Sequence, residues 1–279
     1  MALPVFGVNG LIIVFPMAGR SQRFRNAGYE QPKFMLPLQG ATMFDHAVTS
    51  FKRYFDTATF LFVTRDQTHA DFAVDHARSL GIKQTLTAID PDPTGLASTV
   101  FAGLASKSGL KLHQSVLIHV LDTFRPDFRL PEDVGRNGFA EFCLASRKTA
   151  IDRFLQLPKE PPRGQSHVFP LGLSLARLRG TGLYYTPSGE RLMKAFQRMK
   201  EKGGRAYCFQ QSLRKFGAPE EFVEGLSLIR FLRHLGQKIQ LRIVHRDDVI
   251  FCGVPMEYKA LCHHWPKRGR RACVRPQQN

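Results

Sequence analysis

Leu11-Ile12-Ile13-Val14-Phe15, running on into Pro16-Met17-Ala18-Gly19-Arg20-Ser21-Gln22-Arg23-Phe24, sets the reading of the whole chain. An apolar run without alternation predicts a strand covered on both faces. Residues 16–41 then carry Gly19, Gly28, Gly40, Pro32 and Pro37 with little periodicity. That is the character of a long loop, and long loops in compact domains are usually functional. From Thr42 a helical stripe runs through Phe44, Ala47, Val48, Phe51 and Phe55. A second strand follows at Thr59-Phe60-Leu61-Phe62-Val63, then a helix through Phe72, Ala73, His76, Ala77 and Leu80 that stops at Gly81. Residues 82–89 read as a strand, 97–104 as a short helix, and 115–121 as another covered strand ending at Asp122. This alternation predicts an α/β, Rossmann-like, doubly wound sheet. Such sheets bind ligands at the carboxyl ends of their strands, where both the 16–41 loop and Asp122 lie.

The second half is less regular. Residues 131–180 hold Pro131, Pro158, Pro161, Pro162 and Pro170 and give no assignable period. Thr186-Pro187 predicts a helix with Pro at its first position, a stripe of Leu192, Ala195, Phe196 and Met199, and a stop at Gly203. Residues 219–235 read as helical, and Ile239, Leu241 and Ile243 alternate as a strand. From 263 to 279 the chain reads as a basic, polar tail, with Lys267, Arg268, Arg270, Arg271 and Arg275 clustered.

Composition narrows the classes of function. In 279 residues a 43% hydrophobic content can fill a core, which excludes global disorder. Forty Lys and Arg against 23 Asp and Glu leave a net charge of +17, suited to nucleotides, sugar phosphates, nucleic acid or an acidic membrane surface. Outside the tail the cations are dispersed, and neither an aromatic-rich RNA motif nor a zinc finger is present, so no specific nucleic-acid partner is expected. Five scattered cysteines without a C-x-x-C pair argue against a secreted disulfide scaffold and for reduced thiols in the cytoplasm. Cys262-His263-His264 with Cys273 lacks the spacing of a zinc site. Residues 1–19 are uncharged but interrupted by Pro4, Gly7, Asn9, Gly10 and Pro16, so neither a signal peptide nor a membrane span is expected.

The chemistry concentrates in the loop after the first strand. A turn of small residues lets backbone N–H groups approach an anion, and Arg23 and Lys33 add positive charge, with Pro32 stiffening the chain before Lys33. It is neither a Walker loop nor a G-x-G-x-x-G fingerprint. The plainer alternative is a surface loop with two solvated cations. Asp122 at a strand end needs a cation or donors to remain ionised, or serves as a turn cap.

In these residues the sequence resembles the sugar-1-phosphate nucleotidylyltransferases, whose signature is Gly-x-Gly-x-Arg-Leu/Phe followed by Pro-Lys. It is most similar to a branch with Met-Ala-Gly, Arg-Phe, Gly-Tyr and Pro-Lys, linked to capsule or sugar-nucleotide biosynthesis. Gly19, Arg23, Phe24, Gly28, Tyr29, Pro32 and Lys33 match. Ser21 replaces the second glycine, a mild departure if its φ is negative. The likeness covers residues 11–128 and resumes at 181–185 and 251–258.

The resemblance implies one nucleotidyltransferase domain over 11–262, in a mixed sheet of the nucleotide-diphospho-sugar transferase type. A nucleotide-binding part would span 11–130 and a sugar-binding lobe 181–262, with 131–180 between them. It implies catalytic roles for Arg23 and Lys33, and nucleotide contacts from Ala18, Gly19, Arg20, Ser21 and Gly95. It further implies a sugar-site floor at Thr181 and Gly182, Mg²⁺ on Asp122, and an NTP and a sugar 1-phosphate as substrates. The chain departs from the family pattern in three places. Leu96 and Ser98 stand where a base-reading glutamine is usual. Phe251 stands at the second metal aspartate, leaving Asp247, Asp248 or Glu257 as substitutes. The Glu-Lys pair that precedes the Thr-Gly-Leu-Tyr strand is absent, with Lys148, Lys159, Arg177 or Arg179 as candidate replacements for its lysine. An impaired homologue that keeps nucleotide binding is therefore a rival reading, and a basic nucleic-acid-binding protein a further one.

Overall fold

A computed structural model describes residues 10–106, 110–134, 137–144, 160–169, 178–201 and 238–265. The Leu11-to-Phe15 run is β1 (Leu11–Pro16), buried throughout its apolar length. Ile13 and Phe15 face one core and Ile12 and Val14 the other, as the two-residue period of a strand requires. The chain continues through α1 (Gln22–Arg25), β2 (Pro37–Leu38), β3 (Ala41–Thr42), α2 (Met43–Thr49), β4 (Thr59–Thr64), α3 (Gln67–Leu80) and β5 (Gln84–Ile89). Then come α4 (Leu96–Ala105), β6 (Ser115–His119), β7 (Thr123–Phe124), β8 (Gly138–Leu144), β9 (Ser166–Phe169) and β10 (Leu178–Thr186). The last described elements are α5 (Gly189–Glu201), β11 (Ile239–Val244), β12 (Ile250–Phe251) and α6 (Pro255–His263).

Eight strands form one sheet in the order β5-β4-β1-β6-β10-β8-β11-β9. The first four run parallel. β10 is antiparallel to both β6 and β8, and β11 is parallel to β8. The carboxyl ends of β1, β4, β5, β6, β8 and β11 therefore share one edge with the first residues of β10. A small β7–β12 ribbon lies at that edge, and the backbone N–H of Cys252 donates to the Asp122 carbonyl at 2.7 Å.

Several boundaries differ from expectation. The stripe from Thr42 is two elements: α2 ends at Thr49, and a 3₁₀ turn, Lys52–Tyr54, carries on with Phe51 and Phe55 still buried. Ser50 lies at the break, its hydroxyl donating to the His46 carbonyl and accepting from the Arg125 N–H. The strand before Asp122 stops at His119. The helix expected at Pro187 begins at Gly189, because the Ser188 hydroxyl accepts the Arg191 N–H as an N-cap does. β11 is not half-exposed: Arg242 is 1% exposed, bonded to Ser166 and Asp133. Residues 131–180 include β8 and β9, the start of β10, and segments outside the described residues. Gly203 and 219–235 are also outside them. The tail does not begin at 263: Trp265 is buried, its ring 4.5 Å from that of His46. Among the described residues no helix is long and apolar enough to cross a membrane.

Candidate active site

A cavity of about 400 Å³ opens at the carboxyl edge of the sheet, lined by residues 16–24, Lys33, Phe34, 93–96, Thr99, 120–122 and Gly253. Three strand ends build it: the loop after β1, the loop between β5 and α4, and the turn after β6. Arg65, just past β4, donates to the Ala18 carbonyl at 2.8 Å and so anchors the first loop.

Ser21 adopts φ 51 and ψ 34, the left-handed region, so the condition under which its replacement of glycine would be mild is not met. This conformation is one that glycine takes without cost. Ser21 is held there because its carbonyl accepts the N–H groups of Phe24 and Arg25, while its hydroxyl accepts the Lys33 N–H at 3.2 Å. Ser21→Gly is expected to change stability by less than about 1 kcal/mol. Ser21→Val should cost about 1–2 kcal/mol more, because a β-branched side chain opposes left-handed backbone. Urea denaturation of both variants measures the difference.

Lys33 projects across the cavity floor, and its Nζ donates to Asp122 Oδ2 at 2.6 Å. The Asp122 side chain is only 7% exposed. Burial pushes its carboxyl upward, but the Lys33 charge and hydrogen bond outweigh burial and hold it below the usual carboxylate range. Gly253 closes the wall beside it, where a Cβ would stand 3.3 Å from Asp122 Oδ2 and 3.8 Å from Glu257 Oε2. The Gly253 N–H donates to Glu257 Oε2 at 2.9 Å, and Arg179 holds Glu257 Oε1 at 2.8 Å. At the mouth, Arg20 and Asp92 face each other at 3.5 Å, both exposed.

The chain is similar to the nucleoside-diphosphate-sugar pyrophosphorylase from Vibrio cholerae RC9: 30% identical, covering 90% of this chain and 100% of the other, with a TM-score of 0.68. The chain belongs to the nucleoside-diphosphate-sugar pyrophosphorylase family. Lower likenesses show the same fold. A UDP-glucose pyrophosphorylase from Acinetobacter baumannii is 14% identical over 94% and 96% of the two chains, TM-score 0.56. A UDP-glucose pyrophosphorylase solved with UDP-glucose is 12% identical over 91% and 97%, also at 0.56. No family model and no curated protein match the sequence.

In this pyrophosphorylase-family chain the cavity brings together Ala18, Gly19, Arg20, Ser21, Arg23, Lys33, Gly95 and Asp122. It does not include Thr181 or Gly182. The Thr181 side chain is fully buried and its hydroxyl donates to Glu141 Oε1 at 2.9 Å. Gly182 sits behind the wall at φ 73, pressed so closely on Val120 that a Cβ would lie 2.1 Å from Val120 Cγ2. Arg125, just past β7, does not line the cavity either. It is buried, bidentate to Glu141 at 2.7 and 3.1 Å, with Nη1 donating to the Asp248 carbonyl at 2.5 Å. Of the three substitute carboxylates, Asp247 pairs with Arg163 and Asp248 accepts the Gly164 N–H at 2.6 Å. Glu257 alone of these reaches Gly253. Phe251 is buried under two guanidinium groups, Arg179 Cζ at 3.5 Å and Arg246 Cζ at 4.8 Å from its ring centroid. Sequence reasoning missed Arg65, a single cation after a strand with no motif around it. Gly253 sat within a quoted motif but carried no assigned role.

Proposed function

We propose that this chain transfers a nucleotidyl group from an NTP to a sugar 1-phosphate, giving an NDP-sugar and pyrophosphate. The observation that carries the reading is the Lys33–Asp122 pair on the floor of a cavity walled by the Ser21 loop and the Gly95 turn. An oxygen of the acceptor phosphate attacks the α-phosphorus of the NTP, and the bond from that phosphorus to the pyrophosphate oxygen breaks. The attacking oxygen is already anionic, so no side chain needs to remove a proton. What the protein must supply is alignment and charge. Gly19 and its neighbours offer backbone donors to the phosphates. Arg23 and Lys33 place positive charge on the departing pyrophosphate side, and residues 93–96 with Thr99 border the nucleoside end.

Asp122 fits a divalent cation: its carboxylate is buried, already accepts a cationic partner, and faces a position without a Cβ. Mg²⁺ on Asp122, completed by phosphate and water oxygens, would supply further neutralisation of phosphate charge. Residues 11–130 form the nucleotide part in this reading and 181–262 the acceptor part. The product would feed sugar-nucleotide supply in the cytoplasm, with the capsule role implied by the branch resemblance.

The test is a thermal-shift panel of NTPs with and without Mg²⁺, followed by pyrophosphate release with hexose 1-phosphates. At saturating ligand, about 100 times Kd, stabilisation near 2.7 kcal/mol is expected for the preferred NTP, and Asp122→Ala should remove its Mg²⁺-dependent part. Nucleotide stabilisation without pyrophosphate release from any pair would favour the impaired homologue, which the loss of the second carboxylate at Phe251 motivates. Absence of both would reject the proposed activity.

A further inference from the structure

One buried ring beside the cavity takes no part in the proposed transfer. His119 ends β6 and is fully buried, and its Nε2 lies 2.7 Å from the Thr123 carbonyl. A carbonyl can only accept, so Nε2 carries the ring proton and donates, which leaves Nδ1 as an acceptor. Nδ1 is buried too and meets no partner among the described residues. Two phenyl rings hold the imidazole edge-on: Phe15 at 6.0 Å and 84°, and Phe51 at 5.0 Å and 66°. Phe15 directly precedes Pro16, where the cavity lining begins.

An apolar side chain would fill this place without hiding an unpaired nitrogen, which is a destabilising feature. What the imidazole supplies in return is the Nε2–H bond, and that bond spans Asp122. It joins residues 119 and 123 across Val120, Leu121 and Asp122. At one end His119 pairs with Leu183 of β10, inside the eight-stranded sheet. At the other, Thr123 pairs with Phe251 of β12, in the small ribbon. Within the span the Val120 N–H donates to the Gly182 carbonyl at 3.2 Å, Leu121 is buried, and the Asp122 carbonyl accepts the Cys252 N–H. The backbone around Asp122 is therefore held from the sheet, the ribbon and His119 at once, while its carboxylate points to Lys33. At 2.6 Å that contact has little slack, and a shift of about an ångström takes it out of hydrogen-bond range.

We infer that His119 is a positioning residue for Asp122, closing the turn on the Thr123 carbonyl so that the carboxylate stands over the cavity floor. His119 itself reaches neither nucleotide nor cation. What the carboxylate does there rests on the proposed transferase reading; where it stands does not. Without a donor at residue 119 the Thr123 carbonyl, in a residue only 3% exposed, loses this partner. The turn then relaxes to find another, carrying Asp122 off Lys33.

The test compares the full-length wild type with His119→Gln, whose amide N–H can reach the Thr123 carbonyl, and with His119→Leu, which fills the space without a donor. Each is checked by circular dichroism, and His119→Asn, too short to reach, replaces His119→Leu should that variant not fold. In crystals grown without metal, the Lys33 Nζ–Asp122 Oδ2 distance should exceed about 3.5 Å in the variant lacking the donor and stay near 2.6 Å in His119→Gln. The four ribonucleoside triphosphates and dTTP are then titrated in Mg²⁺ and in EDTA. The Mg²⁺-dependent gain in affinity should fall at least fivefold in the variant lacking the donor, with affinity in EDTA within twofold of wild type, and should return in His119→Gln. Added to Asp122→Ala, the same change should lower affinity less than twofold further, because it acts through that carboxylate. An unmoved Asp122 would overturn the positioning role, as would equal losses in Mg²⁺ and EDTA or a full further loss on top of Asp122→Ala. A carboxylate displaced as expected, in a protein whose wild type binds no NTP, would reject the transferase reading and leave the role of His119 in place.

Discussion

Lys33→Met is expected to lower NTP affinity at least tenfold and to invert the way the protein's stability depends on pH at the acid end. In the wild type, burial alone would raise the Asp122 carboxyl, but the ammonium 2.6 Å away holds it below its unfolded value. The pair's stabilisation is therefore fully present above an unfolded pKa near 4, and it fades as pH falls through the lower folded value. Without Lys33, burial dominates and the folded carboxyl moves above its unfolded value. Its contribution is then greatest in acid and declines as pH rises through the raised folded value. Lys33 is 24% exposed, so the cost at pH 7 should stay at or below about 3 kcal/mol, the low end for breaking a buried pair. An NTP titration reads the first effect and urea unfolding in EDTA at pH 3 to 7 the second, and Lys33→Met/Asp122→Asn should recover most of the lost stability. Parallel pH profiles for the wild type and Lys33→Met would show that the pair is not coupled as described.

Glu141→Ala is expected to cost about 3–5 kcal/mol, the largest stability loss anticipated from a single change here. The Glu141 side chain is 4% exposed and receives both Arg125 bonds and the Thr181 hydroxyl. Its removal strands a guanidinium that is itself 10% exposed. Glu141→Gln retains hydrogen-bonding capacity and should cost less. Replacing the pair together, as Arg125→Met/Glu141→Leu, should return most of the loss, since the stranded charge goes with it. Chemical denaturation of the four proteins separates these cases. A Glu141→Ala loss under about 1 kcal/mol would mean that the site relaxes to admit water.

The contrast between these two pairs explains what the sequence made legible. β1, β4 and β6 lie inside the parallel part of the sheet, so they read as unbroken apolar runs, and β1 and β6 are each followed by residues that line the cavity. Local pattern therefore singled out the Lys33 loop and Asp122, both of which line the cavity, while their roles came only from the family resemblance. β8 and β11 each carry a buried charge in mid-strand, Glu141 and Arg242. Their partners lie at Arg125, Asp133 and Ser166, and no window on the sequence could pair them. Ser21 was left open for a different reason: the residue type does not reveal the sign of φ, which the hydrogen bonds from Phe24 and Arg25 impose. At Phe251 the sequence registered only a lost carboxylate, because the guanidinium groups that cover it come from Arg179 on β10 and Arg246 in the 3₁₀ turn after β11.

The sheet order also separates the two halves in time. β1, β4, β5 and β6 pair with one another using only residues 11–119, through parallel crossovers of modest length. β8 lies next to β11, roughly 100 residues further along, a contact whose loop-closure entropy must be met before it stabilises anything. During vectorial synthesis the first half of the sheet can collapse onto β1 while β11 has yet to be made. Until then β8 has no partner on that side, and its exposed edge is open to aggregation.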